Sequence, residues 1–312
     1  MHKYNKNFLL LFSKGEISGY GHYKRSSLIE KYIKKNITSR VKKICIGDEK
    51  FNKKDLDKFI LHKIKKKKFK ILILDFNNLQ IRKSSSKIKK LLVSLKEMKV
   101  KTIGIDSMRI YYKFLDYVWV PSPFKEKYLK GKNIFYGWNK MIFRRNQFIH
   151  QNNNNIIVTT GASKNRFISQ NLAVLIEKNI SKEFNLHWFF GKYSEKPKII
   201  DGDRWIFHRN ISSIKKISRN AGFVFSLYGL SLFEALSSGI PTAAFCTKDN
   251  YKKDFNEINF FKKKFFCFIE NDITEAVKKL NLLTKSKKIS KNFTINCKKF
   301  FQDPDYFFLN KI

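Results

Sequence analysis

Short apolar runs alternate with helical patterns along this chain, and this alternation restricts its fold more than any other feature. The first runs are KNFLLLF, VKKICIG and FKILILD, and the stretch after the third, SSKIKKLLVSLKEM, has a strong helical period. Continuous apolar runs are typical of parallel strands, because helices cover both faces of a parallel sheet. The pattern therefore predicts an α/β protein with doubly wound parallel sheets.

The alternation occurs twice, which suits two domains in a chain of 312 residues. Between the two rounds, the sequence loses its period and contains NNNN. Open α/β sheets bind ligands at the carboxyl ends of their strands, so two Rossmann-like halves predict a cleft between them. We predict a first Rossmann-like domain at residues 1–139, a linker at 140–155, a second Rossmann-like domain at 156–295, and an aromatic tail at 296–312 that packs back on the first domain.

The net charge of +40 comes from 65 basic and 25 acidic residues, and only ten of the basic residues are arginine. The lysines run along the whole chain, whereas nucleic-acid sites more often concentrate arginine on one face. We interpret the charge as a solvated basic surface and predict no specific nucleic-acid partner. The charge favours anionic substrates and peripheral contact with anionic membranes. The oligomeric state cannot be predicted from these features.

The four cysteines lie far apart, with no CxxC pair and no histidine at ligand spacing. This spacing predicts reduced packing residues in a cytoplasmic protein, no metal site and no cofactor. The early run FLLLF is too short for a signal sequence and predicts a first buried strand. The cysteines are Cys45, Cys246, Cys267 and Cys297.

The first candidate site is the stretch EISGYGHYKR, in which a histidine follows a glycine-rich turn. Gly19 and Gly21 allow a tight turn and close approach of the backbone to a ligand. His22 would begin a helix, where a neutral imidazole can act as a general base, and Arg25 follows one turn later. A helix-capping or loop histidine explains the motif equally well.

The second candidate is SLYGLSLFEALSSGIPTAAF, at residues 226–245, which has a strand–turn–helix–turn–strand pattern. Gly229 opens the turn, and Leu230 and Ser231 begin a helix whose free N–H groups can hold a diphosphate. Glu234 lies one turn further on, where a carboxylate can accept hydrogen bonds from ribose hydroxyls. A helix start with a surface glutamate is the alternative, and the complete pattern favours the binding site.

Four residues at or after the ends of strands are weaker candidates. Asp75 and Asp106 each end an apolar run, where a carboxylate could orient a base or bind sugar hydroxyls, although turn or capping roles are commoner for such residues. Asn250 follows the strand after Glu234, at a strand end where it could be a site residue, although an asparagine in a basic loop is usually only a turn residue. Gly161, in TTGASKN, would either line a diphosphate site or cap a helix.

Together these segments resemble the UDP-2,4-diacetamido-2,4,6-trideoxy-altrose hydrolases of pseudaminic acid synthesis. Those enzymes share the two-domain GT-B fold with the lipid II-forming N-acetylglucosaminyltransferase. The similarity follows the order of the chain through ISGYGHYKR, ILILDFNN, IGIDSM, NIFYGWNKMIFRRNQF, NIIVTTGAS and GFVFSLYGLSLFEALSSGIPTAAFCTKDN. The similarity implies a GT-B fold of two Rossmann-like domains that face each other across a cleft.

The resemblance also implies roles for individual residues. His22 would activate water, Glu234 would hold the uridine ribose, the turn at 229–231 would hold the diphosphate, and Asn250 would lie in the sugar site. No metal or other cofactor would be needed. Five residues differ from those usual in the family, in the sugar and diphosphate segments: Asn77 for tyrosine, Lys140 for tyrosine, Ala162 for glycine, Tyr228 for glycine and Tyr251 for glutamine.

The resemblance thus implies hydrolysis of a UDP-linked diacetamido-trideoxy sugar to free sugar and UDP, for nonulosonic acid or surface polysaccharide synthesis. An inverting GT-B glycosyltransferase is the alternative, with the same histidine acting on an acceptor hydroxyl. An exposed apolar patch beside the first-domain site would favour a lipid-borne acceptor. A non-catalytic nucleotide-sugar binder ranks third and a nucleic-acid binder fourth.

Overall fold

We describe a computed structural model of the chain, in which two compact units comprise Met1–Phe143 with Gln302–Ile312, and Arg144–Phe301. The described residues are 6–15, 21–37, 39–47, 56–122, 124–142, 153–161, 166–191, 194–198, 203–209, 221–265, 268–300 and 305–312.

The first unit is built on a six-stranded parallel sheet with the strand order β2-β1-β3-β4-β5-β6. Its strands are β1 (Phe8–Lys14), β2 (Val41–Gly47), β3 (Ile71–Asp75), β4 (Lys101–Ile105), β5 (Tyr117–Trp119) and β6 (Ile134–Phe135). Its α-helices are α1 (Gly21–Asn36), α2 (Leu56–Lys67), α3 (Asn78–Lys83) and α4 (Ser85–Glu97), and two 3₁₀ helices span Asp106–Tyr111 and Trp138–Lys140.

Alternate residues of the apolar strands enter two separate cores. Leu9 and Leu11 of β1 pack with residues of α2 and α4, whereas Phe8 and Leu10 pack on the opposite face with α1. All four side chains are at most 2% exposed. Both faces of the strand are buried, which explains why it reads as an unbroken apolar run.

The end of the chain packs on the first sheet. Trp119 of β5 contacts the rings of Tyr306 and Phe308, with centroid distances of 5.1 and 4.8 Å. The Tyr306 hydroxyl donates to the Met141 carbonyl at 3.1 Å. Lys140 also pairs with Asp305, at 2.8 Å from Nζ to Oδ2.

The second unit has another six-stranded parallel sheet, with the order β12-β11-β10-β7-β8-β9. Its strands are β7 (Asn155–Thr159), β8 (Asn185–Phe190), β9 (Trp205–Arg209), β10 (Phe223–Leu227), β11 (Thr242–Phe245) and β12 (Phe268–Glu270). Its helices are α5 (Arg166–Asn179), α6 (Leu230–Ser237), α7 (Lys248–Lys253), α8 (Phe255–Phe265), α9 (Ile273–Lys285) and α10 (Lys287–Phe300). A last 3₁₀ helix, Phe307–Asn310, belongs to the first unit.

Several boundaries differ from those expected. Met141 and Ile142 are each 1% exposed and belong to the first unit, although the linker was predicted to begin at residue 140. Helix α10 crosses the predicted boundary at residue 295 and lies in the second unit. The helix predicted near ISSIKKISRN lies outside the described residues.

The structure also differs in three local features. Helix α3 and strand β12 were not predicted, because six and three residues are too few to show a period. Cys45 is exposed and is therefore not a packing residue, whereas Cys246 and Cys297 are buried, and Cys267 lies outside the described residues. Among the described helices, none combines the length and the apolar character that a bilayer crossing requires.

Candidate functional site

The first sheet reverses its strand order between β1 and β3. The chain places β2 on one side of β1 and then returns to place β3 on the other side. Residues after β1 and at the end of β3 therefore meet at the carboxyl edge, where open α/β sheets bind ligands. His22 lies in the first turn of α1, which begins at Gly21, and Asp75 ends β3. Gly19 lies outside the described residues.

His22 and Asp75 are in direct contact. The imidazole Nδ1 lies 2.8 Å from Oδ1 of Asp75, whose side chain is 2% exposed, and the His22 side chain is 11% exposed. The ring of Tyr23, the residue after His22 in α1, makes two contacts. It packs on Phe12 at a centroid distance of 5.9 Å, and the Lys14 ammonium lies 4.9 Å from it. A histidine–carboxylate pair therefore lies where the strand order of the sheet reverses.

The carboxylate determines which imidazole nitrogen carries the proton. An ionised carboxylate only accepts hydrogen bonds, so Nδ1–H of His22 donates to Asp75. Arg25 Nη2 is 2.9 Å from Nδ1 because both groups converge on the same Asp75 oxygen, at 2.6 and 2.8 Å. The lone pair of the neutral ring is then on Nε2, for which the described residues supply no hydrogen-bond donor. This is the arrangement of a general base.

Arg25 links two acidic strand ends. Its Nε and Nη2 atoms donate to the two oxygens of Asp75, at 3.0 and 2.6 Å. Its Nη1 atom donates to Oδ2 of Asp106 at 2.9 Å. Side-on pairing of guanidinium with carboxylate is geometrically specific, so Arg25 holds Asp75 in the orientation that His22 requires.

The charges of this cluster stabilise one another. Burial alone would raise the pKa of Asp75, but the positive charge of Arg25 and the contact with His22 outweigh burial and lower that pKa. Burial alone would lower the pKa of Arg25, but Asp75 and Asp106 raise it above its ordinary value. The carboxylate and the guanidinium are therefore both ionised near neutral pH.

Two residues of the network were not found by sequence reasoning. Arg109 Nη1 donates to Oδ1 of Asp106 at 3.3 Å, and its Nη2 lies 3.6 Å from Oε1 of Glu126. Asp106 itself has φ +53°, a left-handed conformation that non-glycine residues rarely adopt. Neither Arg109 nor Glu126 ends an apolar run, so the sequence gives no signal for them.

The second sheet reverses its order between β7 and β10. Thr159 and Ser226 pair near the ends of these strands, so the turns that follow them lie side by side. Gly161 has φ +76° and Gly229 has φ +153°. A β-carbon at either glycine would meet no heavy atom within 4 Å, so the space beside each backbone is open.

Helix α6 begins immediately after Gly229. The first helical bonds run from the N–H groups of Leu232 and Phe233 to the Gly229 carbonyl, at 3.1 and 3.3 Å. The N–H groups of Leu230 and Ser231 precede these bonds and have no acceptor within the helix. The first turn of α6 holds no acidic residue, so it favours an anion such as a phosphate.

Glu234 and Asn250 occupy different surroundings at this edge. Glu234 is 9% exposed, and its carbonyl accepts hydrogen bonds from the hydroxyls of Ser237 and Ser238 at 2.9 and 2.8 Å. Asn250 is exposed on α7, after β11, the strand beside β10. The structure thus brings Gly161, Gly229 and the start of α6 together, with Asn250 at the next strand end.

Three of the residues that differ from those usual in the hydrolases make contacts within their own unit. The N–H of Asn77 donates to the Ser13 hydroxyl at 2.8 Å. Tyr228 continues the pairing of β10 through a 2.9 Å bond to the Phe245 carbonyl, and its ring packs on Phe233 at 6.1 Å. Lys140 pairs with the tail residue Asp305. Ala162 lies outside the described residues.

No protein-family model matches the chain, and no curated protein matches its sequence. Several solved structures have a similar fold. UDP-GlcNAc 2-epimerase of Neisseria meningitidis, bound to UDP-GlcNAc, matches with a TM-score of 0.59 at 7% identity, over 92% of this chain and 94% of that one. MurG of Acinetobacter baumannii matches with a TM-score of 0.57 at 10% identity, over 96% of each chain.

The glycosyltransferase SnogD of Streptomyces nogalater matches with a TM-score of 0.53 at 10% identity, again over 96% of each chain. Identities this low show the fold and nothing finer. The two six-stranded parallel sheets confirm the doubly wound α/β architecture that the sequence pattern predicted, and with their helices they are those of a GT-B-like α/β protein, as the resemblance implied.

Proposed function

We propose that this protein is an enzyme that transfers a sugar from a UDP-linked donor to a hydroxyl group, with His22 as the general base. The observation that carries the proposal is the 2.8 Å contact between His22 Nδ1 and Asp75, since it leaves Nε2 as the basic nitrogen. The turn at Gly229 and the start of α6 supply a site of the right charge for the diphosphate.

The proposed step is a displacement at the anomeric carbon. The oxygen of the attacking hydroxyl forms a bond to that carbon while Nε2 of His22 takes the hydroxyl proton. The bond from the anomeric carbon to the diphosphate oxygen breaks, and UDP leaves with the electron pair. The N–H groups of Leu230 and Ser231 stabilise the negative charge on the diphosphate, and Glu234 holds the ribose. Attack opposite the leaving group inverts the anomeric configuration.

Transfer to an acceptor hydroxyl is the reaction we propose first. Two of the three similar structures described above are of MurG and the glycosyltransferase SnogD, and the third is of a UDP-GlcNAc epimerase. Hydrolysis is the second candidate, because Gly21, His22, Arg25 and Asp75 match in order the motifs of the pseudaminic acid hydrolases. That resemblance also supports a diacetamido-trideoxy sugar as the donor sugar and Asn250 as one of its contacts.

Phosphorus NMR of the purified protein separates these reactions. UDP-N-acetylglucosamine and UDP-2,4-diacetamido-trideoxy sugars are supplied first without an acceptor and then with octyl glycosides as amphiphilic acceptors. Release of UDP only after acceptor is added supports transfer, and release in water alone supports hydrolysis.

The matched control is His22→Asn, which removes the base and keeps a polar side chain of similar reach. We expect this variant to bind UDP as the native protein does and to lose turnover by about 10²–10⁴-fold. Turnover at the native rate would exclude His22 as the base. Binding of donors by both proteins without any turnover would indicate a non-catalytic binder.

A further inference from the structure

Four large apolar side chains are exposed within a short part of the first unit. Ile110, Phe114, Tyr128 and Tyr136 are 49%, 41%, 44% and 43% exposed. They come from the 3₁₀ helix after β4, the turn that follows it, and the segment that runs from β5 to the residue after β6. A cluster of such side chains on a protein surface marks an interaction site more often than scattered ones do.

Contacts between the two segments hold this surface together. The Tyr112 and Tyr128 rings lie 6.0 Å apart. Leu115 and Leu129, which follow Phe114 and Tyr128, are buried in the same core and so attach both segments to the first unit. We use the name Ile110 surface for the four exposed residues of these segments together with the half-buried Tyr112: Ile110, Tyr112, Phe114, Tyr128 and Tyr136.

The charge around the Ile110 surface is positive. Residues 106–136 contain six basic and three acidic residues. The three carboxylates all face protein groups: Asp106 holds Arg25, Glu126 faces Arg109, and Asp116 accepts from the N–H and hydroxyl of Thr102 at 2.7 and 2.9 Å.

The five lysines of residues 106–136 are not neutralised by those carboxylates, which contact other groups. Lys113 lies 6.0 Å from the Tyr112 ring and Lys125 lies 5.1 Å from the Tyr136 ring. Lys127, Lys130 and Lys132 are exposed, and within the described part of the chain none of the three forms an ion pair. The surface therefore combines aromatic and aliphatic side chains with uncompensated cations.

The Ile110 surface adjoins the histidine site. Asp106 and Ile110 belong to the same 3₁₀ helix, Asp106–Tyr111. Asp106 binds Arg25 at 2.9 Å, and Arg25 in turn binds Asp75. A molecule bound at the surface would thus lie about one helical turn from the network that orients the base.

We propose that the Ile110 surface docks the protein on an anionic lipid bilayer. The apolar side chains would enter the interface, where aromatic rings with a polar edge are stable, while the lysines face the lipid phosphates. Apolar insertion and charge attraction together give reversible binding that neither provides alone. The evidence for docking comes from the residues of the Ile110 surface. The purpose of docking, which is to reach a hydroxyl on a membrane-borne acceptor, rests on the proposed function.

Vesicle flotation tests this proposal with two double variants. Ile110→Ser with Phe114→Ser removes two apolar side chains of the surface. Phe59→Ser with Val93→Ser is the matched control, because these residues on α2 and α4 are 42% and 46% exposed and Phe59 also has a lysine, Lys63, 5.5 Å from its ring. Vesicles of phosphatidylglycerol mixed with phosphatidylcholine are compared with phosphatidylcholine alone, at low and at high salt.

At low salt, a protein of charge +40 adsorbs to anionic vesicles whatever its surface, so the informative condition is high salt. At high salt, we expect the native protein and the Phe59/Val93 control to stay bound to the anionic vesicles. The Ile110/Phe114 variant should partition roughly tenfold or more weakly, because apolar burial does not depend on screening.

Three outcomes would overturn the proposal: complete release of the native protein by salt, equal retention of both variants, or equal binding to neutral vesicles. A single-stranded RNA homopolymer that displaces the native protein, and that the Ile110/Phe114 variant binds more weakly than the control does, would identify a nucleic-acid surface instead.

Failure of docking and failure of the proposed function give different results. His22→Asn should float with the vesicles like the native protein and lose turnover. The Ile110/Phe114 variant should lose flotation while its melting temperature stays native, which shows that it remains folded.

Discussion

The Nδ1 atom of His22 lies 2.8 Å from Oδ1 of Asp75, and this contact joins the helix after the first strand to the end of the third. It fixes the ring through a carboxylate that is almost fully buried, and Arg25 fixes that carboxylate in turn. The chemistry proposed for the first unit depends on this chain of contacts, and so do the first two predictions.

Replacing Asp75 by asparagine should abolish the base without removing the histidine. The new amide can donate to Nδ1, which stabilises the tautomer that carries its proton on Nε2. We expect kcat to fall by about 10²–10⁴-fold while the dissociation constant for UDP is unchanged. Steady-state kinetics and calorimetric titration measure the two quantities, and a thermal melt reports whether the variant is folded. A native kcat in a folded variant would contradict the assigned tautomer.

Replacing Arg25 by methionine should destabilise the fold by about 3–5 kcal/mol at neutral pH, because the buried carboxylate of Asp75 loses its cationic partner and two hydrogen bonds and keeps only the contact with His22. Lys34→Met is the matched control, since it removes an exposed partner of Glu30 and should cost less than about 1 kcal/mol. Urea unfolding measures both free energies.

The loss caused by Arg25→Met should also depend on pH. In the native protein the lowered pKa of Asp75 contributes stability above the unfolded value of about 3.9, and this stability is lost as the pH falls through the folded value. Without Arg25, burial is opposed only by the contact with His22, so the pKa of Asp75 is higher in the folded variant than in the native protein. The stability difference from the native protein should therefore shrink as the pH falls from 7 towards 3, and a constant difference would contradict the assigned charges.

Glu177 should be responsible for a second acid-sensitive contribution, in the other unit. Burial alone would raise its pKa, but hydrogen bonds from Lys182, Arg204 and Trp205 lower the pKa to about 2. The Arg204 and Trp205 donors lie 2.8 and 2.7 Å from its Oε2. The stabilisation is complete above an ordinary glutamate pKa of about 4.3 and is lost as the pH falls towards 2.

We expect Glu177→Gln to lower the free energy of unfolding by about 1–3 kcal/mol at pH 7 and to flatten its dependence on pH between 4 and 2. Glu275→Gln, at a carboxylate that is 49% exposed beside Lys278, is the matched control. Equal pH profiles for the two variants would contradict the role of Glu177.

The positions of the main site residues could be predicted because strand ends can be read from sequence. His22 and Asp75 are 53 residues apart, yet each follows an apolar run that forms a neighbouring strand. The rule that parallel strands end at one edge then places them together. That His22 binds Asp75 directly, through Nδ1, depends on side-chain packing that the pattern does not contain.

The remaining features could not be predicted because their residues come from irregular segments. Ile110 and Phe114 lie in a 3₁₀ helix and a turn, where apolar residues recur with neither a helical nor a strand period. The sequence therefore has no amphipathic helical pattern at these residues, and the exposed surface is visible only in the fold. Arg109 and Glu126 were missed for the same reason.

Replacing Gly229 by alanine separates backbone strain from ligand binding. With φ at +153°, alanine should cost about 1–3 kcal/mol of stability, although its β-carbon meets no heavy atom within 4 Å. Gly131→Ala is the matched control, because Gly131 has φ +125° and equally open surroundings in the first unit. Relief of the strain at Gly229 would move the first N–H groups of α6, so UDP affinity should fall roughly 10- to 100-fold in this variant and stay native in the control. Calorimetric titration with UDP measures the affinity and urea unfolding the stability. Equal affinity in the two variants would mean that the diphosphate does not bind at the start of α6, whatever the turnover of the enzyme.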